Sequence, residues 1–292
     1  MNRLCSVLAL PIVLTSLAAP VGAGPAEGQG RIVQLTLPAP SMNEAARSVR
    51  VYLPPSYDRH EAAQRRYPVV YLLHGWPGGD GNWPGHGRAA ETLDSLSARG
   101  AIPEVIAVMP SGNGIGLLGR QGWLNSYDGK ARMEDFVWKD LVGWTDRTYR
   151  TKPDSAHRAL IGLSEGASAA INIAFKHPGV FGACGGLSGE YVLGHDIGMK
   201  AVWGDEPTAT RIRQENSPTL YAGRIAASLK RQVIYFDCGT MDGELDDNRQ
   251  FDRTLTGLGV PHVYHEFSGM HGWGYWKVHL RDALITCLER MK

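Results

Sequence analysis

Two rhythms of apolar and polar residues run along this chain. Near its start, "RIVQLTL" and "RSVRVYLP" alternate apolar and polar positions, which predicts two half-buried strands. "YPVVYLLHG" is different. It is a continuous β-branched and aromatic run ending at Gly75, the pattern of a strand buried on both faces. "VIAVMP", "RALIGLS" and "QVIYFDCG" repeat that pattern. Between these runs lie segments with helical spacing: "AAETLDSLSAR", "MEDFVWKDLVGWTDRTY", "GASAAINIAFKHP" and the terminal "HLRDALITCLERMK". Buried strands alternating with helices predict an α/β fold, a mostly parallel central sheet with helices on both faces.

Composition narrows the picture. The chain has 292 residues, 43% hydrophobic and 20% charged, enough for a sizeable core. There is no internal repeat and no shift in composition, so residues 24–292 read as one domain. The formal net charge of +1 argues against a nucleic-acid surface. The first 23 residues read as an export signal: "MNR" supplies positive charge, "LCSVLALPIVLTSLAAP" the apolar stretch, and "VGA" small residues for cleavage after Ala23. Pro11 and Pro20 interrupt the stretch, and it is short for a spanning helix. A secreted or periplasmic protein with no stable membrane insertion is therefore expected. Its mature form keeps Cys184, Cys238 and Cys287, an odd number whose pairing spacing alone does not give. Oligomeric state is not legible.

Ligands of such sheets sit at the carboxyl ends of the strands. One candidate nucleophile falls there. "GLSEG" places Ser164 between the buried strand "RALIGL" and the small-residue start of a helix. A strand–turn–helix junction this tight forces the central residue into strained backbone geometry. Gly162 and Gly166 remove the Cβ atoms that would clash. A serine or glycine helix cap is the plainer reading of the same residues.

A serine hydroxyl needs a base. Of ten histidines, His271 lies in the glycine-rich "FSGMHGWGYW", after the strand "PHVYHEF" and before the last helix. His262 and His265 are in or beside that strand, His177 is near a helix end, and His74 shapes the "HGWPGG" loop. The carboxylate that orients the imidazole should follow a strand. "FDCGTMDGELDD" offers Asp237, Asp242, Glu244, Asp246 and Asp247. Asp237 is at the strand end. Asp242, between Thr240 and Gly243, is where a turn projects a side chain. A solvated acidic loop, or a calcium site, is the alternative for the others. The order Ser164, Asp242, His271 is that of α/β-hydrolases. Two N–H donors must face the developing oxyanion. Glu165 at the helix start and Trp76 in "HGWPGGDGNW" are the candidates.

These blocks in order, "YPVVYLLHGWPGGDGNW", "WLNSYDGKARMEDFVWKDLVGWTDRTYRT", "RALIGLSEGASAA", "CGTMD" and "HEFSGMHGWGYWKVHL", resemble the esterase D family of α/β-hydrolases over most of residues 48–290. That family includes S-formylglutathione hydrolases, feruloyl, acetyl-xylan and tributyrin-type esterases, and mycolyltransferases. The resemblance implies the α/β-hydrolase fold, with Ser164 as nucleophile, Asp242 as acid, His271 as base, and Trp76 and Glu165 as oxyanion donors. It also implies a structural role for Glu134 and Asp135 at a helix start. Many members have "SMGG" where this chain has "SEGA". Glu165 therefore puts a carboxyl at the mouth of the site, either stabilising the helix start or acting on substrates by disfavouring anionic ones or binding a polar one.

Aromatic residues crowd the same loops. Trp83, Trp123, Trp273 and Trp276 are expected to bind substrate, with Tyr275 near them. "SGNGIGLLGRQG" reads as a long flexible loop that acts as a lid. The function implied is a secreted serine carboxylesterase without cofactor or metal. It acts on short-chain acyl, acetyl or feruloyl esters of sugars or polysaccharides. Acyl transfer to a sugar or glycan acceptor is the alternative with the same machinery, and product analysis separates the two. A binding protein on a retired hydrolase fold is a third reading. It would not be labelled by a fluorophosphonate.

Overall fold

A computed structural model describes residues 28–291, so the export-signal segment lies outside the described residues. One eight-stranded sheet organises them: β1 (Arg31–Ala39), β2 (Glu44–Leu53), β3 (Val69–Leu73), β4 (Ile106–Pro110), β5 (Arg158–Leu163), β6 (Ala183–Leu187), β7 (Val233–Gly239) and β8 (Val263–Phe267). Their spatial order is β1-β2-β4-β3-β5-β6-β7-β8. The alternating β1 and β2 pair antiparallel, with Arg31 opposite Leu53, and β2 joins β4 antiparallel. From β4 to β8 every pairing is parallel.

Every residue of β3, β4 and β5 is buried, as the continuous apolar runs predict. The pleat sends alternate side chains to opposite faces. Val69, Tyr71, Leu73 and Leu160 join one core cluster, which includes Ile171, Ile173 and Phe175 of the helix Glu165–Lys176. Val70, Leu72, Ile161 and Leu163 join the other, with residues of the helices Ala89–Ala98 and Trp273–Leu288. Each such large apolar side chain contributes about 1.5–3 kcal/mol by leaving water. The middle of the sheet is therefore the most strongly held part of the molecule, and the site is built on its ends.

The structure adds what periodicity did not mark. Strand β6 is "ACGGL", too small and glycine-rich to read as a strand. Its glycines fit a crowded part of the sheet: a Cβ on Gly185 would stand 3.2 Å from Ile161 and 3.4 Å from Cys287 Sγ, and one on Gly186 would overlap the Tyr191 hydroxyl. Helices Thr208–Glu215, Pro218–Leu229 and Leu245–Gly257 follow it. Around the first of these, Leu124, Met199, Val202, Trp203, Ala209 and Ile212 form a small third core cluster. The block "MEDFVWKDLVGW" is helical, with a π-helical stretch over Phe136–Leu141. Its buried Glu134 pairs with Lys176 Nζ at 2.8 Å and His177 Nε2 at 3.1 Å, tying this block to the end of Glu165–Lys176. Cys184, Cys238 and Cys287 are all free and buried, so none of the three forms a disulfide.

Candidate active site

Ser164 stands at the junction of β5 and the helix that begins at Glu165. Its φ is 52° and ψ −127°, a conformation that costs of order 1–3 kcal/mol for a residue with a side chain. Neighbours over-determine it. The Ser164 N–H donates to Leu187 O of β6 at 2.8 Å, and its carbonyl accepts from Ala167 N–H at 2.8 Å. Both flanking glycines are required. A Cβ on Gly162 would overlap the Gly166 carbonyl, and one on Gly166 would lie 2.5 Å from the carbonyl oxygens of Leu73 and His74.

His271 sits between β8 and the helix Trp273–Leu288. Its Nε2 is 2.8 Å from Ser164 Oγ, and its Nδ1 is 3.0 Å from each carboxylate oxygen of Asp242. The Asp242 carboxylate is fully covered while the imidazole is about two-fifths exposed (0% and 38%), so one end of this line is dry and the other open. Burial works to raise the Asp242 carboxyl. Hydrogen bonds from His271, the Glu244 N–H and the Ser188 hydroxyl outweigh it and hold the group below its usual range. Ser188 in turn accepts from Trp276 Nε1 at 3.1 Å. Asp237 takes a different part: it is buried at the end of β7, where the hydroxyls of Tyr235 and Tyr275 donate to it at 2.6 and 2.8 Å.

Trp76 and Glu165 flank Ser164. Glu165 opens a helix, so its N–H has no intrahelical acceptor. Among the described residues, neither this amide nor that of Trp76 donates to a protein acceptor. His74 shapes its loop. Its Nδ1 donates to Gly75 O at 2.7 Å, its Nε2 accepts from Gly112 N–H at 2.8 Å, and burial lowers its proton affinity.

A cavity of about 210 Å³ opens beside Ser164 and His271, walled by Trp76, Leu124, Met199 and Trp203 on apolar sides and by Arg120, Glu165, Glu190, Asp196 and Glu244 on polar ones. A second recess of about 60 Å³ lies between Ser164, His271, Trp273 and Trp276. Trp83 and Trp123, expected among the lining residues, are not there, because core packing claims both indoles. Each is about 1% exposed. Trp83 packs edge-on behind Trp273, at 5.7 Å between ring centres. Trp123 donates to His74 O at 3.1 Å and lies against the His74 ring. Tyr275 is likewise buried. The lining residues Glu190, Asp196 and Trp203 carry no motif, whereas Arg120 lies in the 111–122 loop and Glu244 in the acidic loop that the sequence marks.

The loop of residues 111–122 is tied down rather than free. Gly114 N–H donates to Gly119 O at 2.7 Å, Gly116 N–H to Arg120 O at 2.8 Å, and Arg47 holds the carbonyls of Ser111 and Asn113 at 2.8 Å. Arg120 meets Glu165 Oε1 at 2.6 Å and also bonds Asp196. Burial pushes the Glu165 carboxyl up, against the opposing pull of Arg120.

The Esterase family model matches residues 39–287. Over 176 residues, the chain is 34% identical to the endo-1,4-beta-xylanase/feruloyl esterase of Xylanibacter ruminicola, covering 58% of this chain and 23% of that protein. It therefore spans less than a quarter of that relative's length. It is 27% identical over 298 residues to the diacylglycerol acyltransferase/mycolyltransferase Ag85A of Mycobacterium bovis, with 88% of this chain and 80% of that one covered. A solved ferulic acid esterase superimposes with a TM-score of 0.80 at 28% identity, over 90% of this chain and 99% of its own. With its α/β-hydrolase fold and a family match that spans strands β2 to β8 and every strand-end residue described above, the chain belongs to the Esterase family.

Proposed function

We propose that this protein is an exported serine carboxylesterase in which Ser164, His271 and Asp242 act as a triad. The observation that carries this reading is the continuous line from Ser164 Oγ through both imidazole nitrogens to a buried carboxylate. In the reaction, His271 Nε2 takes the Ser164 proton as Oγ attacks the ester carbonyl. The N–H groups of Trp76 and Glu165 receive the negative oxygen of the tetrahedral intermediate. Collapse expels the alcohol, protonated by His271, and leaves an acyl-serine. Water, activated by the same imidazole, then releases the acid. Asp242 stays ionised throughout and stabilises the imidazolium. No step calls for a cofactor or metal.

The two spaces beside Ser164 support a reading of the substrate. The small tryptophan-lined recess suits a short acyl group. The larger, mixed polar and aromatic cavity suits a hydroxylated or aromatic portion, as in acetyl or feruloyl esters of sugars. Export rests on the N-terminal sequence. Among the described residues no helix is long and apolar enough to cross a membrane. Ser164→Ala with retained fold is expected to abolish turnover of p-nitrophenyl acetate and labelling by a fluorophosphonate; an active variant rules the assignment out. Transfer of the acyl group to a sugar or glycan is the second reading, favoured by the likeness to Ag85A over most of that protein. Products formed with a sugar acceptor present decide between acid and new ester.

A further inference from the structure

Arg120 touches the residues on both sides of the nucleophile. Its Nε donates to Glu165 Oε1 at 2.6 Å, another guanidinium nitrogen bonds Asp196, and its Cζ lies over the Trp76 indole, 5.1 Å from the ring centre. The loop carrying it adds two further ties. Leu118 O accepts from Trp76 Nε1 at 3.5 Å, and Gly122 N–H bonds the Glu165 carboxylate. Trp76 and Glu165 are 89 residues apart in the chain. Arg120 links their side chains directly.

We propose that Arg120 is a positioning residue of the oxyanion hole, fixing the Trp76 and Glu165 amides relative to each other through the side chains of those two residues. This rests on the esterase reading above, in which those amides receive the oxyanion. Donors of this kind work only when preorganised, and a misplacement near 1 Å costs about 100-fold in rate. Each amide belongs to a residue that lines the cavity. Glu165 is the sharper case. Its carboxylate sits in a poorly hydrated place directly after the nucleophile, where without a cation it would take up a proton or swing away. The guanidinium serves both neighbours at once, hydrogen-bonding the carboxylates while its carbon lies over the indole, which an ammonium group does less well. The Glu165 carboxyl thus has a cationic partner in the neighbouring loop.

The test uses p-nitrophenyl acetate, small enough to need no contact with Arg120. For Arg120→Met with circular dichroism like that of the unmodified protein, kcat is expected to fall about 10- to 100-fold. KM should stay within about threefold, and the acid limb of the pH–rate profile should keep its midpoint because the triad is untouched. Inhibition by a trifluoromethyl ketone, whose adduct places an oxyanion in the hole, should weaken in step with kcat. Arg120→Lys should recover part of the loss. If Arg120→Met does not fold, Arg120→Lys decides alone, with an expected fall in kcat of about three- to tenfold at unchanged KM. An unchanged kcat, a loss confined to KM, or a displaced acid limb overturns the proposal. Ser164→Ala is run alongside: if it is inactive while the Arg120 variants match the unmodified enzyme, only the role of Arg120 falls. If Ser164→Ala is active, the esterase reading falls with it.

Discussion

Trp276 Nε1 donates to Ser188 Oγ at 3.1 Å, and that same hydroxyl reaches on to the Asp242 carboxylate. The line from Ser164 to Asp242 therefore does not end at the acid. It continues through a buried serine after β6 to an indole on the last helix. Ser188 itself has φ 56°, held in place by a bond from its N–H to Asp237 O at 2.8 Å. Ser188→Ala leaves the indole N–H without its acceptor and Asp242 with one donor fewer. A loss of about 1–3 kcal/mol in stability is expected. A fall of about tenfold in kcat/KM, at little change in KM, should accompany it, read by denaturation and by steady-state rates.

The elbow glycines give a sharper stability test. Gly166→Ala drives a Cβ to 2.5 Å from two carbonyl oxygens of the Leu73–His74 segment, which is backbone at the heart of the sheet and does not yield. The variant should lose several kcal/mol or fail to accumulate as folded protein. Gly179→Ala, where a Cβ meets nothing within 4 Å, serves as control. Thermal melts of the two should differ by many degrees. Equal melts would mean the elbow is not as tight as described.

Asp237 predicts a pH dependence of stability. Burial raises its carboxyl to about 7, with the Tyr235 and Tyr275 hydroxyls only partly opposing this. The folded protein therefore holds a proton that the unfolded chain gives up near pH 4. The associated stability is fully present below that lower pH and is lost as pH rises through about 7. Asp237→Asn should flatten the decline in Tm between mildly acid and mildly alkaline buffer, by an amount that differential scanning calorimetry at several pH values resolves.

Glu244 makes the parallel prediction for substrates. It lines the cavity beside His271, and burial together with Glu190 raises its carboxyl to about 7. As pH rises through that value the cavity gains a negative charge. The ratio of kcat/KM for a cationic ester such as acetylthiocholine to that for its uncharged carbon isostere should climb over the same interval. In Glu244→Gln it should stay flat. A ratio independent of pH in the unmodified enzyme contradicts the placement of this charge.

How far the sequence reached is clear from particular residues. Ser164 was legible because a strand, a turn and a helix leave a linear signature around it, and Asp242 and His271 because each follows a strand by a short loop. The side chains that shape the cavity were not. Arg120, Asp196 and Trp203 are brought to Ser164 only by tertiary folding of loops that have no period. Trp83 and Trp123 failed in the opposite sense. A tryptophan in a loop between glycines looks available to substrate, yet both indoles turn inward, to back Trp273 and to hold His74. Strand β6 escaped notice because its place in the sheet is set by how little room there is, which selects glycine rather than β-branched residues.

The three free cysteines among the described residues have a practical consequence. Cys184, Cys238 and Cys287 lie in different elements, on β6, on β7 and in the last helix, and all are shut off from solvent. A thiol reagent added to the folded enzyme can modify them only when the surrounding structure opens. The rate of labelling at each of these sites is then a clock for that opening, with no label to be engineered in.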